Sequence, residues 1–443
     1  MNRRNALTIA LLYVVWAVLR ISALTANVAI RDDWVHRPEG HLTSYRPLLA
    51  ADLWFWQHII GDDYLRTIAP KLLGGAYVAL IAFVIFRIAM RCGATYRSAL
   101  AIAISYVAHP INNELTLFNV MAATNLALLL VIAADFVDPR IGAILIALGI
   151  SGYQVYAFIP LVLIAFDRSR NVRARLAAWA TGCALYAAYV VFSNRVLHVA
   201  SWGGRGMATS MFTRAWLIEK WHGVTNAIAD VSQPIVGFTI SAPVAFRAWM
   251  WIPVLLAIAV FVRNRREAFL PIALPLIACA YLFALNVTPT GWRVDAPPLF
   301  ALTLAIIPLF AKPNRIAFAL LVIWILAASV TSIADARLRV AGKNLDEQIL
   351  RDLDSLHLPH RVIIANVTPQ HEPPRGRAIL AEYNAVTPAM YSNLVPLWSF
   401  PDAYLRAHGY TVESMRPSAA CTDACPYRVT SENGVLVLCR AAR

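Results

Sequence analysis

The sequence is short of charge. Asp, Glu, Lys and Arg make up 14% of its 443 residues, whereas 59% are hydrophobic and the mean hydropathy is +0.58. Soluble domains average about 25% charged and about 45 to 50% apolar residues, so this composition excludes an ordinary water-soluble globular protein. The net charge of +14 would suggest nucleic-acid binding in a soluble protein, but here the basic residues lie between apolar runs and membrane topology explains them better.

Several motifs are also missing. The sequence has no paired CxxC units with metal-site spacing, and its polar tail has no glycine-rich phosphate loop and no paired-histidine motif. It has no visible internal repeat, which weakens a transporter interpretation based on inverted repeats. Nothing in the tail is therefore required to be catalytic.

Long apolar runs, in contrast, are abundant. A bilayer core needs about 20 mostly apolar residues as helix, and that length predicts eleven spans. They lie near residues 6–28, 71–90, 98–110, 119–135, 141–151, 154–167, 174–193, 247–263, 268–285, 296–311 and 315–333. The run 141–167 is interrupted only by residues 151–154, so it predicts two short helices, a re-entrant hairpin or one long tilted helix.

Basic residues alternate between the two sides of these spans. One side carries Arg3 and Arg4, Arg87, Arg91 and Arg97, Arg140, Arg168, Arg170, Arg173 and Arg175, Arg263, Arg265 and Arg266, and Lys312 and Arg315. The opposite short links, 111–118 and 151–154, have no Arg or Lys. The positive-inside rule then places the N-terminus on the inner side of the membrane and the tail on the outer side, where two of Cys421, Cys425 and Cys439 would pair in an oxidising compartment.

The sequence thus predicts an all-α polytopic membrane domain over 1–335 and a small periplasmic α/β domain over 336–443. Outer loops 31–70 and 194–246 belong to the membrane domain. In the tail, Asn344–Leu356 has helical spacing, whereas Val362–Val367 and Gly434–Cys439 are typical of short strands.

A carboxylate pair, Asp32 and Asp33, follows the first span. One of the two is a candidate base for a hydroxyl, and together they are candidate ligands for a divalent cation; no other cofactor is indicated. The alternative is a solvated pair balanced by Arg31. A second pair, Asp62 and Asp63, follows Gly61 and is interpreted as an ordinary turn.

Arg46 follows in the same loop and is a candidate bidentate phosphate ligand, unless it only extends to lipid head groups. Glu114 lies in an outer link without basic neighbours and would face the same aqueous pocket if the helices bundle. Tyr153 and Gln154 lie where the run 141–167 is interrupted. Non-helical backbone at this depth is tolerated only where it is buried in protein or lines a water-filled cavity, so the two side chains are candidates for binding substrate; hydrogen bonding between helices is the alternative role.

Trp292 and Arg293 follow the ninth span and are candidates for stacking on a sugar and binding a phosphate or sugar; pairing of Arg293 with Asp295 is equally plausible. Arg20, inside the first span, is either functional, paired or directed toward the outer interface.

The Asp32, Asp33 pair, the Arg46, Pro47, Leu48 triplet and the Tyr153, Gln154 pair, in this order, resemble the GtrII-type glucosyltransferases of bacterial O-antigen modification, members of the GT-C superfamily. The family's triplet usually begins Gly-Arg-Pro, whereas Tyr45 precedes Arg46 here. The resemblance implies inverting transfer of a hexose, glucose by analogy, from a polyprenyl-phosphate donor to a polysaccharide or lipid-linked acceptor at the periplasmic face. It implies that Asp32 or Asp33 is the base or positions the acceptor, and that Arg46 binds the donor phosphate.

Two other classes of function stay open. A transporter or flippase for a lipid-linked glycan would favour ionisable residues at mid-membrane and two repeated halves. The sequence has few such residues and no visible repeat. A non-catalytic partner in polysaccharide assembly would tolerate neutralisation of the outer carboxylates.

Overall fold

The computed structural model describes residues 3–27, 42, 45–61, 68–117, 122–196, 213–232, 255–256, 258–259, 269–284, 295–365, 392, 394, 401–416 and 427–440. These residues are mostly helical, with a small sheet near the C-terminus, as the sequence predicts. The chain divides into two compact units. The first comprises 1–20, 37–236 and 242–333, and the second comprises 21–36, 237–241 and 334–443.

The first unit is built from helices. They are α1 (Arg3–Leu19), α3 (Pro47–Ile60), α4 (Ala69–Arg91), α5 (Tyr96–Ala108), α6 (Ile111–Thr116), α7 (Ala122–Ala133), α8 (Pro139–Gly152), α9 (Ile159–Phe166), α10 (Val172–Arg195), α11 (Arg214–Ser232), α12 (Leu270–Ala278), α13 (Tyr281–Ala284), α14 (Ala296–Ala305) and the first part of α15 (Arg315–Ser355). Short 3₁₀ helices follow α7 at Ala134–Phe136, precede α9 at Gln154–Phe158 and follow α14 at Ile307–Phe310. The helix α2 (Ile21–Thr25) belongs to the second unit.

Three described helices, α4, α10 and α15, are long and apolar enough to cross a membrane. Five further apolar helical segments have only 10 to 17 residues, less than the roughly 20 that an upright span needs. The predicted eleven crossings are therefore not confirmed, and most of the span predicted at 247–263 lies outside the described residues. Exposed apolar side chains repeat along α1 at Leu7, Leu11, Val14 and Val18, a stripe that suits contact with lipid chains.

The first predicted span is broken at Arg20. This side chain has no exposed surface, and its guanidinium donates to the carbonyl oxygens of Trp16 at 3.3 Å, Val107 at 3.2 Å and His109 at 3.3 Å. Two of these carbonyls lie at the C-terminal end of α5, where a cation complements the helix dipole. Arg20 is thus buried within the unit and bonded to the carbonyl of Trp16 in α1 and to two carbonyls at the end of α5.

Residues 139–166 form a hairpin of two short helices, which excludes one long tilted helix for the interrupted run. Helix α8 ends at Gly152, Tyr153 is extended (φ −154°, ψ 111°), and a 3₁₀ turn leads into α9. The chain returns to its starting end, since Arg175 donates from Nε to Asp135 Oδ1 at 2.6 Å and from Nη1 to the Asp167 carbonyl at 2.5 Å. The tip of the hairpin lies about 21 Å from its base along α8, at 1.5 Å per residue.

Local sequence signals explain where these helices begin. The side chain of Asp138 accepts a hydrogen bond from the Arg140 amide and Pro139 occupies the first turn of α8, while Asn171 caps α10 through the Ala174 amide. Glycines then allow close packing. A Cβ on Gly149 would lie 2.7 Å from the Ala127 carbonyl oxygen, and one on Gly182 would lie 2.8 Å from the Ala143 carbonyl oxygen, as expected for small residues between membrane helices.

Basic residues from several links meet at the base of the hairpin. The guanidinium carbons of Arg91 and Arg170 lie 5.7 Å and 5.0 Å from the ring centroid of Phe136. Arg170 and Arg175 both pair with Asp135, whose side chain is 9% exposed. The links after α4, α7 and α9 therefore share one end of the bundle.

The second unit contains the end of α15, strand β1 (Arg361–Ala365), helix α16 (Pro401–Ala407) and strands β2 (Thr411–Arg416), β3 (Tyr427–Glu432) and β4 (Val435–Arg440). The strand order is β2-β1-β4-β3, with β1 parallel to β2 and β4, and β3 antiparallel to β4. Asn433 and Gly434 join β3 to β4 with positive φ at both residues, as a tight hairpin turn requires. The predicted helix and strands are confirmed here.

The core of this unit joins helix to sheet. Ile349 and Leu353 of α15 pack with Val362, Ile364 and Leu436. Cys439 of β4 is disulfide-bonded, whereas Cys92, Cys183 and Cys279 form no disulfide. Cys421 and Cys425 lie outside the described residues.

Candidate functional site

The candidate site lies at the tip of the α8–α9 hairpin. Gly152 lies against Leu48 of α3 and Ala127 of α7, so that a Cβ there would meet the Leu48 side chain at 2.8 Å and the Ala127 Cβ at 2.7 Å. This close contact brings the start of α3 to the hairpin tip. Tyr153 is 3% exposed and Gln154 is half-buried, so both side chains are held within the bundle.

Arg46 immediately precedes α3, where Pro47 occupies the first turn. Its Nε donates a hydrogen bond to Gln154 Oε1 at 2.9 Å, and its guanidinium carbon lies 5.0 Å from the ring centroid of Tyr153. The hydrogen bond and the cation–π contact together fix the position and the plane of the guanidinium. The structure thus brings together three residues that the sequence identified in two separate segments.

Two tyrosines complete the group. Gln154 Nε2 donates to the Tyr186 hydroxyl at 2.9 Å and to the Tyr45 carbonyl at 3.4 Å, and the Tyr186 hydroxyl donates to the same carbonyl at 3.1 Å. We call Tyr45, Arg46, Tyr153, Gln154 and Tyr186 the Arg46 cluster. Tyr186 was not identified from the sequence, because its position in α10 is an ordinary helix position and only the fold places it beside Gln154.

Tyr45 has φ 57°, in the left-handed region that glycine adopts without strain. Its hydroxyl donates to Asn194 Oδ1, and its carbonyl receives the bonds from Gln154 and Tyr186. This is the position at which the resembled family usually has Gly. The backbone conformation that a glycine would favour is therefore present here with a tyrosine, held by three hydrogen bonds.

Asp52 is a second side chain that sequence reasoning missed. It lies on the buried face of α3, three residues after Leu49 and four before Trp56, and its Oδ2 has no hydrogen-bond partner in the part of the chain that the structure describes. Burial raises the pKa of Asp52 to about 6, and the nearby Trp56 side chain offsets part of this rise. The signal in the sequence was a carboxylate at an apolar position of the helical pattern.

Other sequence-predicted residues are not placed. Asp32, Asp33, Trp292 and Arg293 lie outside the described residues, as do Asp62 and Asp63. Glu114 belongs to α6, but its side chain is not described. The structure therefore brings together Arg46, Tyr153 and Gln154 only.

The neighbours of Glu114 have structural partners. Asn112 Nδ2 donates to the Tyr106 carbonyl at 2.6 Å and Asn113 Nδ2 donates to the Ser332 carbonyl at 3.0 Å, and both asparagines are fully buried. These bonds satisfy one backbone oxygen near the end of α5 and one in α15. The predicted aqueous pocket does not extend to these two side chains.

The described residues include no group of three or more His, Cys, Asp or Glu side chains placed to hold a metal ion. The divalent-cation site predicted at Asp32 and Asp33 falls outside them. Comparison of the chain with protein-family models, with curated proteins and with solved structures finds no match.

Proposed function

We propose that the protein is an integral-membrane glycosyltransferase that moves a hexose from a polyprenyl-phosphate donor to a polysaccharide or lipid-linked acceptor, with inversion. The observation that carries the proposal is the oriented guanidinium of Arg46, bound by Gln154 and stacked on Tyr153 at the tip of a hairpin. A fixed guanidinium at this depth suits a lipid-anchored phosphate, since arginine matches two phosphate oxygens with two parallel N–H bonds.

The chemistry follows from these parts. The acceptor hydroxyl attacks the anomeric carbon of the sugar while the bond from that carbon to the phosphate oxygen breaks. The hydroxyl proton passes to a carboxylate, for which the resemblance supports Asp32 or Asp33, and negative charge develops on the departing polyprenyl phosphate. Preorganised donors stabilise such developing charge better than mobile water does, which is the role we assign to Arg46.

The location of the reaction is part of the proposal. Arg91, Arg170 and Arg175 meet at the base of the hairpin, and basic links favour the cytoplasmic side of a membrane. The Arg46 cluster at the tip would then face the periplasm of a bacterial inner membrane. The disulfide of Cys439 supports an oxidising compartment for the second unit.

The test is a transfer assay with the purified full-length protein in lipid nanodiscs, polyprenyl-phosphate glucose as donor and candidate oligosaccharides as acceptors. The Arg46→Lys variant should raise the apparent KM for donor about tenfold and leave that for acceptor nearly unchanged, because lysine presents a point charge instead of a fork. The matched control is Arg87→Lys, since Arg87 also contacts an amide, that of Asn5 at 3.4 Å, but is exposed. Its donor dependence should equal that of the wild type.

The carboxylates are tested in the same assay. Asp32→Asn or Asp33→Asn should lower the rate about 10²- to 10⁴-fold, as expected for loss of a general base, and Asp62→Asn and Asp63→Asn should not. Equal effects of the two pairs, or an unchanged donor dependence in Arg46→Lys, would contradict the assigned roles. Movement of the lipid-linked sugar across the bilayer without any new glycosidic bond would instead identify a flippase.

A further inference from the structure

The second unit contains a cavity that the proposed chemistry does not use. Its volume is about 510 Å³, and it lies where α15 ends, β1 begins and β2 is preceded by Tyr410. The lining residues are Leu353, Asp354, His357, Leu358, His360, Tyr410 and Leu436. Small-ligand sites typically measure about 300 to 1,000 Å³, so this cavity has room for an organic ligand of a few rings.

The lining combines an apolar floor with a polar rim. Leu353 and Leu436 are buried at 0% and 1% exposure, while Asp354 and His360 are exposed. The ring of His360 lies 4.7 Å, centroid to centroid, from that of Tyr410. A ligand there would meet the exposed imidazole of His360 and the exposed carboxylate of Asp354, both of which contact the buried Tyr410 side chain.

The carboxylate is held in a fixed orientation. The hydroxyl of Tyr410 donates to Asp354 Oδ1, and Oδ2 accepts no hydrogen bond from the described part of the chain. Burial, reinforced by the adjacent Asp354 carboxylate, raises the pKa of Tyr410 well above its usual range, so the phenol keeps the proton that it donates. Asp354 therefore retains an oriented acceptor oxygen at the wall of the cavity.

The loop that carries the rim is also fixed by its backbone. The His357 amide donates to the Asp354 carbonyl at 3.1 Å, His357 has φ 51°, and the Thr411 amide donates to the His360 carbonyl at 2.7 Å. Because these bonds tie the loop 356–360 both to the end of α15 and to β2, the rim is preorganised. Preorganisation lowers the cost of ligand binding.

We propose that this cavity binds a neutral saccharide and serves as the acceptor-binding subsite, an assignment that rests on the proposed function. A sugar ring offers an apolar C–H face to the exposed ring of His360 and hydroxyl donors to Asp354 Oδ2, while Tyr410, which is only 4% exposed, contacts both residues from behind. The Nδ1 of His357 donates to the Ser355 carbonyl at 2.7 Å, which leaves its Nε2 as an acceptor, and the His360 imidazole supplies a donor and an acceptor for further hydroxyls. A metal ion fits less well, because the described residues here do not form a three-ligand group.

The chain supplies a matched control two residues away on the same helix. The hydroxyl of Tyr427 donates to Asp352 Oδ2 at 2.7 Å, which repeats the phenol-to-carboxylate bond of Tyr410 and Asp354. Asp352 does not line the cavity. Asp352→Asn thus changes the same chemistry in the same unit without altering the lining.

The experiment is saturation-transfer NMR on the full-length protein in nanodiscs, with free di- and trisaccharides of glucose, galactose, mannose and rhamnose as probes. At least one probe should bind the wild type, and Asp354→Asn should weaken that binding tenfold or more, as expected for loss of a hydrogen bond to a charged acceptor. Asp352→Asn should leave it unchanged. His360→Ala, at an exposed position, provides a second variant that should weaken binding and leave the fold intact.

The outcomes separate this assignment from the proposed function. If no probe binds, if Asp354→Asn and Asp352→Asn bind alike, or if Zn²⁺ competes with the saccharide through both histidines, the cavity is not a saccharide site. If a probe binds through Asp354 but no polyprenyl-phosphate sugar yields product, the transfer reaction is wrong and the saccharide site stands. If product forms, Asp354→Asn should raise the KM for acceptor and not that for donor; an unchanged acceptor KM would refute the role as acceptor subsite.

Discussion

Arg46 and Gln154 are 108 positions apart in the chain, yet Nε of the arginine donates to Oε1 of the glutamine at 2.9 Å. The bond joins the start of α3 to the tip of the α8–α9 hairpin. Gln154 also binds the Tyr186 hydroxyl and the Tyr45 carbonyl, so one amide joins three segments of the chain, 45–46, the hairpin tip and α10, in a half-buried polar cluster.

We therefore predict that Gln154→Ala lowers the free energy of unfolding by about 1 to 3 kcal/mol, since it removes the hydrogen bonds from the Arg46 guanidinium and to the Tyr186 hydroxyl in a half-buried place. Thermal unfolding of the detergent-solubilised protein measures the loss. The control is Asn5→Ala, which removes an amide from the exposed Arg87 and should cost almost nothing. The double variant, Gln154→Ala with Arg46→Ala, should lose clearly less unfolding free energy than the sum of the losses in the two single variants. Strictly additive losses would contradict an energetic coupling between the two side chains.

Tyr45 supports a second prediction. Its φ of 57° is accessible to glycine without strain but is strongly disfavoured for a β-branched residue. The free energy of unfolding of Tyr45→Gly should stay within about 1 kcal/mol of the wild-type value, and its transfer rate should depend on donor concentration as in the wild type. Tyr45→Val should lower the free energy of unfolding by about 2 kcal/mol or more. Tyr45→Phe isolates the hydrogen bond to Asn194. If Tyr45→Gly were the more damaging change in unfolding and transfer assays, backbone conformation would not be what this position selects.

Asp52 gives a prediction on pH. Its pKa of about 6 in the folded protein exceeds the unfolded value of about 3.9, so between these two values the folded state binds more protons than the unfolded state. Stability then falls as the pH rises from about 4 to about 6 and is not recovered above it. The total loss is at most about 3 kcal/mol, from roughly two pKa units at 1.36 kcal/mol each.

The Asp52→Asn variant should abolish this component and be more stable than the wild type above pH 6. Comparing the two proteins' unfolding free energies from pH 4 to 8 isolates the contribution of Asp52 from that of other groups. Asp138→Asn, an exposed carboxylate at the cap of α8, is the control, because asparagine caps a helix as well as aspartate does. Parallel pH curves for wild type and Asp52→Asn would contradict the prediction.

Sequence reasoning succeeded where the signal is local. The polar gap at 151–154 predicted an interruption, at which the hairpin tip lies, and the run Gly434–Cys439 predicted a strand, which is observed as β4, because both depend on residues adjacent in the chain. The helical pattern of 344–356 was confirmed for the same reason, as part of α15. Arg46 and Gln154 were each identified separately, but the bond between them depends on the packing of Gly152 against Leu48.

It failed where tertiary contacts decide. The run 6–28 has no local break, yet α1 ends at Leu19 because Arg20 binds carbonyls at the end of α5. The apolar run at 268–285 includes Pro275 and divides into the short helices α12 and α13, so a count based on length alone overestimates membrane-length helices. Asp52 was passed over because burial of a carboxylate becomes visible only when α3 is packed.

The last prediction concerns topology. Arg91, Arg170 and Arg175 meet at one end of the bundle, while the Arg46 cluster lies at the hairpin tip, about 21 Å away along α8. Asp135 pairs with Arg170 and Arg175, but acidic residues contribute little to orientation, so the basic end should still be cytoplasmic. A reporter active only in the cytoplasm should therefore work when fused after residue 170, and one active only in the periplasm should work after residue 340.

Exchanging the reporters between the two fusion sites is the internal control, and both exchanged fusions should be inactive. Reversed activities would place the Arg46 cluster on the cytoplasmic side, where the disulfide of Cys439 would be hard to maintain, and the proposed periplasmic transfer would have to be abandoned.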